Sequence, residues 1–169
     1  VLGLRFLLSA FFLLPFSLRG LGTLSRQTFL SGLLLGLLLG TSFVFLIYGL
    51  QLTTASNTGF LAGLSVIWVL LLTGPLMGKR PSFDAILATL FGLAGLYLMA
   101  DIQGWQLHLG DGLVVIGSLF TAIHIIALDR FCARHNNMTL TFLQISTMAV
   151  IFLGLQHISG GEILPRNWS

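Results

Sequence analysis

Five side chains in the chain stand out because their chemistry is out of keeping with the apolar residues around them: Tyr48, Asn57, Trp68, His124 and Gln144. His124 offers an imidazole that can accept or donate one hydrogen bond at each ring nitrogen and can gain a proton near neutral pH. It can therefore line a cavity, bind a solute or relay a proton, or it can simply satisfy a neighbouring helix carbonyl. Gln144 brings an amide with the same two readings, ligand or internal hydrogen bond. Asn57, followed by Thr58, has the residue type of a helix N-cap, and a helix start facing a cavity also presents free N–H groups to anions. Trp68 and Tyr48 are aromatic bodies with a polar tip. Each reads as packing or interface anchoring on one side and as ligand lining on the other.

Catalytic and metal-binding patterns do not emerge. There is no HExxH, GxSxG or GxxxxGK[ST] run, and thus no catalytic residue to name. Asp101, His108 and Asp111 lie close in sequence, but their spacing fits no usual metal-ligand pattern, and they read as a solvated loop. A single cysteine, Cys132, excludes an internal disulfide. Neither a metal nor any other cofactor is expected. The net charge of +3 suggests nucleic acid only until the count is considered. Eight Lys and Arg spread along 169 residues make no phosphate-binding surface.

The elements that must carry these side chains follow from composition. Charged residues make up 8% of the chain and the mean hydropathy is +0.98, against about 25% charged residues in an ordinary soluble domain. So few charges cannot cover a water-soluble globule, and the bilayer becomes the expected solvent. Charges punctuate the apolar runs. From Gln27 to Gly78 no side chain is charged, which is too long for one crossing of about 20 residues. Its polar middle, 51–57, splits it into spans at 29–50 and 58–77. Further spans are expected at 85–100, at 112–128 and from about 138 to 157, with 6–18 as the remainder of a clipped span. The runs lack the strict alternation of barrel strands, and helices satisfy their own backbone in lipid. The expected class is an all-α polytopic transmembrane helix bundle.

The loops add an independent check. One alternating set carries Arg19, Arg26, Lys79, Arg80, Arg130 and Arg134, and the other set only Arg166. The basic set is expected on the cytoplasmic side. Small residues recur at helical spacing, as Gly32, Gly36 and Gly40, Gly59 and Gly63, and Gly92 and Gly95. Such stripes let helix backbones approach closely in lipid, either as fixed packing or as a sliding seam.

Several of these features together resemble the EamA-type transporters of the drug/metabolite transporter superfamily. Residues 49–100 are similar to the family's fourth and fifth helices, with a Thr-containing entry at 50–55, Gly59-Phe60-Leu61 and the Gly78-x-Arg80 turn. Residues 109–131 resemble its sixth helix, which opens on Gly110-Asp111 and closes on Arg130. The run around Arg5 resembles its second helix. Lys79 stands where many members carry Glu. The resemblance implies helices two to seven of a ten-helix inverted-repeat protein, with most of the first repeat in 1–101 and the start of the second in 102–169. It further implies a secondary transporter in the cell (inner) membrane that moves metabolites, amino acids or drugs by alternating access through a central cavity. The expected partners are a small-molecule substrate, the lipid bilayer and, as an option, a second copy in a homodimer, with no nucleic acid. Tyr48, Asn57, Trp68, His124 and Gln144 would then face the cavity as substrate-binding residues. The alternatives are a non-transporting membrane subunit or scaffold and, behind it, a membrane-embedded enzyme.

Overall fold

The computed structural model describes residues 2–22, 24–78, 81–99 and 108–158. Lys79, Arg80, Asp101 and Arg166, on which parts of the charge pattern rest, lie outside the described residues. Seven helices follow in order among the described residues: α1 (Leu2–Leu21), α2 (Arg26–Leu52), α3 (Ala55–Gly63), α4 (Ser65–Met77), α5 (Phe83–Met99), α6 (Leu109–Cys132) and α7 (Asn137–Ile158). Helices α2, α6, α7 and the α3–α4 pair are long and apolar enough to cross a membrane. At 1.5 Å per residue each covers the hydrocarbon thickness of about 30 Å.

Each expected span contains a helix, and the helix starts are set by short polar side chains. Ser25 Oγ accepts the Thr28 N–H at α2, Ser82 Oγ accepts the Ala85 N–H at α5, and Asn136 Oδ1 accepts the Met138 N–H at α7. These bonds satisfy N–H groups that the helix itself leaves open.

The span expected at 58–77 departs from expectation in two ways. It begins at Ala55 rather than 58, because Thr54, not Asn57, is the N-cap. Thr54 has extended backbone (φ −84°, ψ 155°) and its hydroxyl accepts the Asn57 N–H. Asn57 is thus a first-turn residue. The span also breaks at Leu64, whose N–H bonds back to the Leu61 carbonyl at 3.2 Å, a tighter three-residue turn, before Trp68 resumes the ladder to Leu64. At its far end Gly78 takes a left-handed conformation, φ 65°, and closes the helix on the Gly74 carbonyl. That is a position where a residue without Cβ is favoured.

The chain forms two compact units, Val1–Gly40 with Leu128–Ser169, and Thr41–Ala127. In the first, α1 packs on α7, with the Phe6 and Phe152 rings stacked at 5.5 Å between centroids. The glycines of α2 meet α7 in register: Gly32 lies against Leu143, Gly36 against Thr147 and Gly40 against Ile151. A Cβ at Gly36 would fall 2.5 Å from the Thr147 Cβ and 2.8 Å from the Gln144 carbonyl oxygen. Leu35 of α2 and Leu140, Leu143 and Met148 of α7 are among the buried side chains of this unit.

In the second unit the later part of α2 packs on α6. Gly49 lies against Val114, Gly110 against Leu52, and Gly117 against Phe45 and Leu46. The Phe45 and Phe120 rings stack at 5.8 Å. Gly63 is close to Leu96 of α5, whereas Gly59, Gly92 and Gly95 meet no described atom within 4 Å. Among the described residues, the recurrence of glycine therefore marks a packing seam in α2. Phe91 and Leu98 of α5 are 75% and 82% exposed, as expected of a lipid-facing side.

Candidate functional site

Four of the five singled-out side chains belong to the second unit: Tyr48, Asn57, Trp68 and His124. Gln144 belongs to the first. Within the second unit α6 is the common support. Its stripe Gly110, Gly117, Thr121 and His124 repeats at i, i+7, i+11 and i+14, which keeps one helix face. The glycines of that face pack on α2. Across the same face Ser42 Oγ donates to the Gly117 carbonyl at 2.9 Å and pairs with Thr121 Oγ1 at 2.5 Å. His124 shares this register and is only 5% exposed.

Trp68 reaches α6 from α4. Its indole N–H donates to Ser118 Oγ at 3.2 Å, and Ser118 in turn donates to the Val115 carbonyl at 2.8 Å. The tryptophan is thereby held as an oriented flat surface rather than a freely turning ring. Tyr48 on α2 is about half exposed.

Asn57 belongs to a hydrogen-bonded knot at the start of α6. Thr53 Oγ1 donates to Asp111 Oδ1 at 2.5 Å, and Asn57 Nδ2 donates to Thr53 Oγ1 at 3.4 Å. The second carboxylate oxygen of Asp111 accepts the His108 N–H at 2.8 Å, while the Asp111 N–H bonds the His108 carbonyl. The Asp111 side chain thus reaches back to the backbone of the residue before α6, one half of a capping box, while the return bond is backbone to backbone. Asp111 is 6% exposed, so the reading of Asp101, His108 and Asp111 as a solvated loop is corrected at Asp111. Its carboxylate is sequestered because Thr53 and the helix start together satisfy both oxygens. Asp101 lies outside the described residues.

The hydrogen bonds of Asn57 and Trp68 thus run to Thr53 and Ser118, neither of which stood out in the sequence. Ser118 is a hydroxyl inside an apolar helix, and Thr53 lies in the short turn between α2 and α3, within the polar stretch 51–57. On α7, Gln144 is 9% exposed and its Oε1 has no hydrogen-bond partner among the described residues, and the same holds for Thr139 Oγ1 at 1% exposure. Separately, α3, α4 and α5 enclose a shallow apolar recess of about 510 Å³ beside the Leu64 break, lined by Phe60, Leu64, Ile67, Leu93, Tyr97 and Leu98 among others. None of the five singled-out residues lines it.

The model of the EamA-like transporter family matches residues 1–100. No curated protein and no solved structure matches the chain. A match over more than half of the sequence, on a fold of helices long and apolar enough to cross a bilayer, settles the class: the chain is a multi-pass membrane protein and belongs to the EamA-like transporter family.

Proposed function

We propose that the protein is a secondary transporter of small metabolites, amino acids or drugs, working by alternating access in the cell (inner) membrane. The observation that carries this reading is the family match over residues 1–100, since that family is one of transporters rather than enzymes. In this reading the chain holds most of a first repeat and the start of a second, and the basic turns face the cytoplasm. Trp68, Asn57, Tyr48 and His124 of the second unit contact the substrate. Trp68 supplies an aromatic face fixed by Ser118. His124, at 5% exposure, supplies the group that can hydrogen-bond a solute or change charge. Gln144 is proposed as a separate polar contact, because its Oε1 keeps unused accepting capacity. An unpaired acceptor at membrane depth is costly unless a ligand engages it.

The test is solute flux in vesicles containing the intact protein, screened over a metabolite panel. His124→Ala is expected to abolish flux of the transported solute while membrane abundance and thermal stability stay near wild type. His124→Gln separates the roles, because it keeps hydrogen bonding and cannot titrate. Flux kept in Gln and lost in Ala assigns binding, and flux lost in both leaves proton transfer open. Normal flux in both variants removes His124 from the mechanism.

A further inference from the structure

In the first unit the first turn of α2 and the turn between α6 and α7 are joined. Thr28 Oγ1 and His135 Nδ1 are hydrogen-bonded at 3.0 Å, so residues far apart in sequence share one end of the unit. Arg26 opens α2, Arg130 lies in the last turn of α6, and Arg134 lies in the turn beside His135. All three are exposed. Asp129 is the one carboxylate in these two segments. Separate basic loops would answer only to orientation in the membrane. Two loops clasped by a hydrogen bond gather their charge onto one patch, at the depth where α2 and α7 enter lipid.

We propose that this end of the first unit binds the phosphodiester headgroup of an anionic phospholipid. The match is one of charge and shape. Guanidinium groups present paired N–H donors to phosphate oxygens, and basic groups between helix ends at the membrane surface suit anionic headgroups. The Phe131 ring, 6.5 Å from the His135 ring between centroids, places apolar surface beside the charged groups, as a lipid with an acyl chain requires and a soluble anion does not. The inference needs only that the helices cross a bilayer and stands apart from the transport reading.

The experiment is thermal unfolding of the intact protein in neutral detergent with added phosphatidylglycerol or phosphatidylcholine. Phosphatidylglycerol is expected to raise the midpoint more than phosphatidylcholine does. The pair Arg26→Gln with Arg134→Gln is expected to remove roughly half or more of that difference and to leave the phosphatidylcholine midpoint unchanged. Arg5→Gln removes one unit of charge, as Arg134→Gln alone does, from an exposed residue near Gly3, which packs on Leu153 toward the far end of α7. It should keep the full difference. If the double variant is too unstable to purify, Arg134→Gln alone, at an exposed turn position, is measured in the same way and should lose part of the difference. Equal differences in wild type and variants, or an equal loss in Arg5→Gln, would overturn the proposal. So would the same stabilisation from inorganic phosphate alone, which would assign a free anion and not a headgroup.

Discussion

Asp111 shows how a single side chain changes meaning with its surroundings. In sequence it is one of few acids in the chain, beside a helix start. In the structure its two oxygens are taken by the Thr53 hydroxyl and the His108 N–H, and Asn57 adds to the same knot. Removing one partner of a buried polar pair leaves the other unsatisfied, which costs on the order of 1–3 kcal/mol. Thr53→Val should therefore destabilise the protein by about that amount, and more than Thr58→Val, whose hydroxyl bonds only its own helix carbonyl at Thr54. A double cycle of Thr53→Val with Asp111→Asn should reveal a coupling of roughly 0.5–3 kcal/mol, read from denaturation midpoints. Additive effects would mean that the two side chains do not act as a pair.

At the level of elements, the α2–α7 seam is where packing is least forgiving. A side chain at Gly36 meets both Thr147 and a backbone carbonyl, and backbone cannot give way as a flexible side-chain end can. Gly36→Leu is expected to cost about 1–3 kcal/mol or more and to lower the yield of folded protein. Leu37→Val, at a residue 45% exposed, should be tolerated, and equal small effects from both would place the seam elsewhere. The helices themselves were legible in the sequence, because lipid forces the backbone to satisfy itself and charges mark where the chain emerges. The Gly32, Gly36 and Gly40 stripe was legible as a packing face for the same reason. What was not legible is pairing. Nothing local separates that stripe from Gly92 and Gly95, which meet no described atom within 4 Å. The cap at Thr54 rather than Asn57 turned on which of two neighbouring polar residues adopts extended backbone. Ser118 and Thr53 stayed hidden because their partners, Trp68 and Asp111, are brought near only by the fold. Of the candidate side chains, the burial of His124 follows from its register with Gly110 and Gly117, while the state of Gln144 does not follow from its own helix.

On the scale of the molecule, charge asymmetry predicts which turns share a side of the membrane, and labelling can check it. In a Cys132→Ser background, cysteine at exposed Leu24 or Ala133 should resist a membrane-impermeant thiol reagent in intact cells, while cysteine at exposed Gln51 should react. The opposite pattern would invert the topology. The two compact units also divide the chain differently from its order in sequence: α1 and Gly32, Gly36 and Gly40 of α2 find their partners on α7, with α3 to α6 intervening. A ribosome emitting roughly 5–20 residues per second delivers that partner only after α3 to α6. During the delay the notched surface of α2 has no mate of its own, and it is open to any other helix inserting nearby. Synthesis of this protein should accordingly depend on whatever shelters nascent helices in the membrane, and chains cut short before α7 should be the ones that degradation removes first.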